Sequence, residues 1–164
     1  MDNQQERLEL NMNWFAGFFE AEGWFSLMKT TRIYKGQEVN MYVPVCGICN
    51  TDFVILESIE SLLKSNGIAY QLHRRMPRKA TYKKNWQINI QAMKRCMAFI
   101  EWILPYLVGE KKNKAIGILE FCKRRKEKVS SGWCGVSYSE EDINLYASIH
   151  SKILNDYTPD MQTA

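Results

Sequence analysis

Trp14-Phe15-Ala16-Gly17-Phe18-Phe19-Glu20-Ala21-Glu22-Gly23 is the stretch on which the reading of this 164-residue chain turns. Its spacing predicts a helix from about Asn11 to Glu22, with Phe15, Phe18 and Phe19 anchoring it in its own core. Gly17 and Ala21 lie one turn apart on one face, with Ala16 beside them and Asn13 a turn earlier. Such a flat face admits a second backbone, so Asn13, Ala16, Gly17 and Ala21 are the expected dimer interface. Gly23 suits a left-handed helix stop.

Glu22 sits at the negative end of that helix dipole, where an anion costs roughly 0.3–1 kcal/mol. Packed against an identical helix, two such carboxylates would converge and repel. A divalent cation turns that liability into a site. The plainer alternative is a core helix ending in a solvated acid.

Phe15-Ala16-Gly17-Phe18-Phe19-Glu20-Ala21-Glu22-Gly23 resembles the nine-position signature of the LAGLIDADG homing endonucleases, with Glu at both acidic positions. Pro105-Tyr106-Leu107 and Glu110-Lys111-Lys112-Asn113-Lys114-Ala115 extend the likeness, and the element order matches over about residues 10–125. The resemblance implies an α+β fold, αββαββα, whose four-stranded antiparallel saddle binds DNA and carries helices on its other face. A single motif implies a homodimer.

In the family pattern Glu22 is the metal-binding acid, one from each subunit, and the Ala21 carbonyl is a second ligand. Oxygen donors suit Mg²⁺, with Mn²⁺ tolerated. Glu20 is only two residues away, and such residues do not face each other on a helix, so its structural reading leads. Lys111 aligns with the family's active-site lysine if one residue is inserted, and Lys112 is the fallback. The polar residue after the second strand falls on Cys49 or Asn50; Asn50 is preferred, with helix capping its competing role.

The net charge of +4 does not by itself demand nucleic acid. Its distribution says more. Arg74, Arg75, Arg78, Lys79, Lys83 and Lys84 form one cluster, and Lys123, Arg124, Arg125, Lys126 and Lys128 a second; both suit phosphate or a solvated surface. No secretory signal or bilayer-length apolar run is visible, and the five cysteines are odd in number, which together predict a reduced, intracellular protein with no membrane partner. Cys46-Gly47-Ile48-Cys49 has no second pair at zinc-ribbon spacing and reads better as strand.

One domain is expected over 1–164, with a core of about 10–128 and a helical extension of about 129–164. Trp24–Tyr34 reads as a strand, 35–38 as a turn and Val39–Ile48 as the returning strand. On that strand Val39, Met41, Val43 and Val45 are expected inward, and Asn40, Tyr42, Pro44 and Cys46 outward. Asn50-Thr51-Asp52 starts a helix ending near Asn66-Gly67. Ile68–Met76 and Tyr82–Ile90 form a second hairpin with Ile68, Tyr70, Leu72, Trp86, Ile88 and Ile90 inward. Helices follow over about 92–104 and 110–128, then a loop over 129–136. A last helix starts after Ser139, with Asp142 in its capping pattern, and runs to about Tyr157.

The resemblance makes the outward strand face the expected DNA surface, an ordinary solvated sheet face being the alternative: Ser26, Met28, Thr30, Arg32, Tyr34, Asn40, Tyr42, Gln71, His73, Arg75, Asn85, Gln87 and Asn89. Arg pairs with guanine, Asn and Gln with adenine. His73 reads as a DNA contact rather than a general base, and His150 as structural. The resemblance implies metal-dependent cleavage of a long, partly palindromic DNA duplex across the minor groove, leaving short 3′ overhangs. An intron RNA maturase on the same fold, and a DNA-binding protein that does not cut, are the alternatives.

Overall fold

The computed structural model describes residues 11–75, 84–128 and 138–155, and only the backbone of Arg75 and of 150–155. The basic turn after Arg75, the 129–136 loop, the His150 side chain and the chain beyond 155 lie outside the described residues.

Helix α1, Met12–Glu22, starts where the Asn11 side chain accepts the Trp14 N–H at 2.9 Å. It ends with no loop, because Gly23 is the first residue of β1, Gly23–Tyr34. The expected left-handed stop is therefore corrected: Gly23 has φ −83° and ψ 161°, ordinary extended backbone. Glycine serves packing instead. A Cβ there would lie 2.5 Å from the ring of Phe19, which is fully buried.

Lys35 and Gly36 turn the chain with φ of 50° and 78°. Two consecutive left-handed residues make the tight turn whose twist suits a hairpin. It pairs Tyr34 with Gln37 and starts β2, Gln37–Asn50, two residues earlier than the composition suggests. Asp52 then caps α2, Phe53–Ser65, by accepting the Val54 N–H at 2.9 Å. Gly67, at φ 68°, closes the end of α2 with a bond from Ile68 N–H to the Leu63 carbonyl.

The second hairpin comprises β3, Gln71–Arg75, and β4, Asn85–Gln91. It is followed by α3, Met93–Ile103, a 3-10 turn at Leu104–Tyr106, α4, Gly109–Lys128, and α5, Glu140–Asn155. The four strands form one antiparallel sheet in the order β1-β2-β4-β3. This is the α+β order expected from the sequence, with α4 and α5 added.

The helices lie against one face. Phe15 and Phe19 of α1 meet Phe25 of β1 and Phe99 of α3, with ring centroids 4.9–6.4 Å apart. Leu56, Ile59 and Leu63 of α2 and Ile118, Phe121 and Cys122 of α4 complete the buried layer. Burying such side chains contributes roughly 1.5–3 kcal/mol each. The β1–β2 tip runs past this layer, so residues 31–38 are exposed on both faces. Among the described residues no helix is long and apolar enough to cross a membrane.

The facing of β2 is opposite to that expected from its composition. Phe25 pairs with Cys46, Leu27 with Pro44 and Lys29 with Tyr42, so Tyr42, Pro44, Cys46 and Ile48 face the helices and all are buried. Met41, Val43 and Val45 lie on the other face. The two-residue turn sets this parity, and a slip of one residue reverses every side chain. Tyr42 packs 4.7 Å from the ring of Tyr138 and 4.3 Å from that of Tyr146, while its N–H donates to the Tyr138 hydroxyl at 3.1 Å. The expectation that Tyr42 contacts DNA is thereby corrected.

Helix α5 is held by the capping pattern read in the sequence. Ser139 N–H donates to the Asp142 carboxylate at 3.1 Å, and Asp142 N–H to the Ser139 hydroxyl at 3.3 Å. Lys128 Nζ reaches the same carboxylate at 3.1 Å. Burial pushes the Asp142 pKa up, but the bonds from Ser139 and Lys128 outweigh it and hold the value below the usual range.

A depressed folded-state pKa stabilises above the unfolded value of about 4 and loses that contribution as pH falls through the folded value. Asp142→Asn is expected to cost about 1–2 kcal/mol at pH 7. It also flattens the acid limb of the stability profile below about pH 4, measurable by thermal melts from pH 7 to 2; an acid limb identical to wild type would refute the assignment.

Candidate functional site

The far side of α1 from the aromatic core is bare. Asn13, Gly17 and Ala21 are exposed there, and a Cβ added to Gly17 would meet nothing within 4 Å. Trp14 borders this face, stacked on Phe18 at 5.1 Å. Ala16 does not belong to it. It is 3% exposed, turned with Phe15 and Phe19 towards the protomer's own interior, which corrects its place in the expected interface.

The two motif acids have separate surroundings. Glu20 Oε1 accepts the Val108 N–H at 2.8 Å, tying the segment before α4 to the motif helix. Glu22, at the end of α1, is exposed. Lys111 comes from the first turns of α4 and donates to the carbonyls of Phe19 at 2.9 Å and Glu20 at 2.5 Å. Its ammonium thus meets the negative end of the α1 dipole. Burial lowers its pKa and Lys114 adds to this, while Glu20 and Glu22 oppose the shift. No such bond joins Lys112 to α1, so Lys111 is the lysine that reaches the motif.

Beside this network lies a cleft of about 310 Å³ lined by Gly23, Trp24, Phe25, Glu110, Lys111, Asn113 and Lys114. It opens where helix α1 becomes strand β1. The donor chemistry here fits a hard cation: the exposed Glu22 carboxylate and the Ala21 carbonyl in the last helical turn, beyond the intrahelical hydrogen bonds. No cluster of three His, Cys, Asp or Glu gathers anywhere among the described residues. One protomer's described residues therefore do not assemble the ligand set of a four-ligand metal.

Asn50 is not part of this arrangement. It pairs with Trp86 on the helix-facing side, and its Oδ1 accepts the Asp52 N–H at 2.8 Å ahead of α2. The helix cap itself is Asp52, and Asn50 holds the turn that presents it. Cys49 pairs with Gln87 on the opposite face. Cys46 faces the core, so the two sulfurs of the Cys-x-x-Cys stretch point to opposite sides of the sheet and cannot share a metal.

The sheet face turned away from the helices holds Ser26, Met28, Thr30, Arg32 and Tyr34 of β1, and Asn85, Gln87 and Asn89 of β4. Gln71, His73 and the backbone position of Arg75 join them from β3. These residues were expected together and the register brings them together. Asn40 is paired with Thr31 on the helix side of the projecting tip, and its outward placement is corrected. In its place the face gains Trp24, Val39, Met41 and Val43. Trp24 lies across Gly47, where a Cβ would come within 2.2 Å of the indole. The signal that would have found them is Lys35-Gly36 read as a two-residue turn.

The second basic cluster is largely consumed internally. Lys123 pairs with Glu101 at 3.3 Å, Arg124 with Glu141, and Lys128 with Asp142. Arg125 is fully buried with its guanidinium 3.9 Å from the Tyr138 ring centroid. Lys123 joins α4 to α3, and the other side chains join α4 to α5 and the segment before it. Of the first cluster, Arg74 lies 5.6 Å from the Trp86 ring on the helix side and Lys84 is exposed.

The sequence matches no protein-family model and no curated protein. Solved structures do match. The homing endonuclease I-CvuI, in complex with the I-CreI target in the presence of Mg, superposes with a TM-score of 0.58 at 15% identity, over 93% of this chain and 85% of its own. The LAGLIDADG meganuclease I-AabMI, bound to uncleaved DNA, gives 0.61 at 22% identity over 92% of this chain and 47% of its own. The LAGLIDADG homing endonuclease I-GzeII, in complex with its DNA target, gives 0.60 at 19% identity over 94% and 52%. A bare α1 face, a sheet ordered β1-β2-β4-β3 and these superpositions establish that the chain has the fold of the LAGLIDADG homing endonucleases.

Proposed function

We propose that the protein is a site-specific homing endonuclease that acts as a homodimer on a long, partly palindromic DNA duplex. One observation carries this reading: of the two motif acids, only Glu22 is left exposed, and it stands at the end of a helix whose outer face presents the small residues Gly17 and Ala21. The DNA named with the similar structures supports the substrate class. Their solution with Mg and with Ca supports a divalent cation. This chain spans most of the length of I-CvuI and about half of that of I-AabMI and I-GzeII. The 164 residues form one endonuclease domain, with α5 as an extension of the core.

In this reading Glu22 and the Ala21 carbonyl would hold the cation, each protomer of the dimer supplying one carboxylate. When bound, the cation activates water and neutralises phosphate charge. Lys111 keeps a positive charge at the end of α1, where it holds the helix terminus and offsets negative charge developing nearby. Glu20 orients the segment before α4 through Val108. The sheet face outside β1–β4 lies along the duplex, and the two cuts across the minor groove leave short 3′ overhangs.

Glu22→Gln is expected to abolish Mg²⁺-dependent cleavage of a selected duplex while binding persists in gel shifts. Unimpaired cutting would sink the assignment. Lys111→Met should lower the single-turnover rate by on the order of 10², with binding changed little; a rate equal to wild type would remove it from the site. Gly17→Leu should dissociate the dimer in light scattering by overpacking the shared face. Its protomer keeps its fold, because the added atoms enter open space within one chain. An unchanged dimer would place the interface elsewhere.

A further inference from the structure

The sheet face assigned to DNA is chemically divided. Its β3–β4 half carries hydrogen-bonding groups, with Gln87 donating to the Asn89 carbonyl oxygen. Its β1–β2 half sets an apolar strip, Met28, Met41 and Val43, among Ser26, Thr30, Arg32 and Tyr34. Met28 stands across from Val43, and Thr30 across from Met41. Met28 is 40% exposed, and Met41 and Val43 are partly exposed. The Thr30 hydroxyl is turned to the Met41 carbonyl at 3.5 Å.

The internal core does not account for this strip. Its residues point away from the helices, while polar Lys29 and Thr31 occupy the helix side of the same tip. A solvated antiparallel face ordinarily shows the opposite pattern. The strip is also narrow and continuous with amide and guanidinium groups on the same face, unlike the broad apolar patch of a protein interface. Among the groups a major groove displays, the apolar one is the thymine C5-methyl. Methionine, unbranched and polarizable, fits such a contact without exact shape matching.

Resting on the DNA reading above, we infer that the β1–β2 ribbon selects thymine-bearing positions of each half-site by burying their methyl groups against Met28, Met41 and Val43. The β3–β4 ribbon reads neighbouring positions by hydrogen bonds. Specificity within one half-site is then of two kinds, and the methyl-reading part tolerates loss of hydrogen-bonding groups on the bases.

The test uses the full chain and a duplex selected from a randomised pool. Thymines are replaced one at a time by deoxyuridine, which removes only the methyl, and affinity is measured at fixed salt. Wild type is expected to lose about fourfold per methyl over one contiguous segment of the half-site. Met28→Ala with Val43→Ala should bind thymine and uracil equally there, and Met28→Gln alone should do so partly, with circular dichroism confirming the fold of both. Binding that ignores the thymine-to-uracil change throughout would overturn this inference and leave the DNA reading intact. A methyl preference that survives in the double variant would also overturn it. Failure to select any duplex would instead overturn the DNA reading.

Discussion

The fully buried ring of Phe19 lies against Gly23, and this contact lets helix α1 pass into strand β1 without a loop. The rest of the arrangement follows from that junction. A side chain at Gly23 would push the strand off the helix. Because it has none, the last turn of α1 stands at the lip of the sheet and Glu22 is carried to the boundary between the flat helix face and the strand surface. Phe15, Phe25 and Phe99 hold the junction from below, so the acid sits on a packed aromatic base.

The second constraint is electrostatic. A helix C-terminus already carries partial negative charge, and two glutamates close to it add more. The fold answers with Lys111 on the last carbonyls and the Val108 N–H on Glu20. Both come from the segment running from the 3-10 turn into α4, so one stretch of chain neutralises the motif helix and leaves Glu22 alone exposed. Lys111 pays for this with a lowered pKa, since it is drawn partly out of water.

The strand surface depends on a smaller feature. Lys35-Gly36 closes the first hairpin in two residues, and parity along β2 follows from it. Composition argued for Val39, Met41, Val43 and Val45 inside, since apolar side chains usually face a core. The turn requires the reverse, and the aromatic pocket around Tyr42, filled by Tyr138 and Tyr146, keeps it so. The second hairpin was legible because there the apolar residues fall on the helix side of the sheet: Trp86, Ile88 and Ile90 face the helices, Gln87 and Asn89 the other side.

From the residues alone came the motif helix, the element order, the second hairpin's faces, the separation of Glu20 from Glu22 and the Ser139–Asp142 cap. Each of these rests on local spacing, and spacing is a property of the chain before it folds. Tertiary structure decided what depends on contacts between distant residues. It turned Tyr42, Asn40 and Ala16 away from their expected surfaces and committed Asn50 to the turn that leads into α2. It drew Lys123, Arg124 and Lys128 into ion pairs that a run of basic residues does not disclose. It also chose Lys111 over Lys112, because only folding decides which of two adjacent lysines reaches a helix end some ninety residues earlier in the chain.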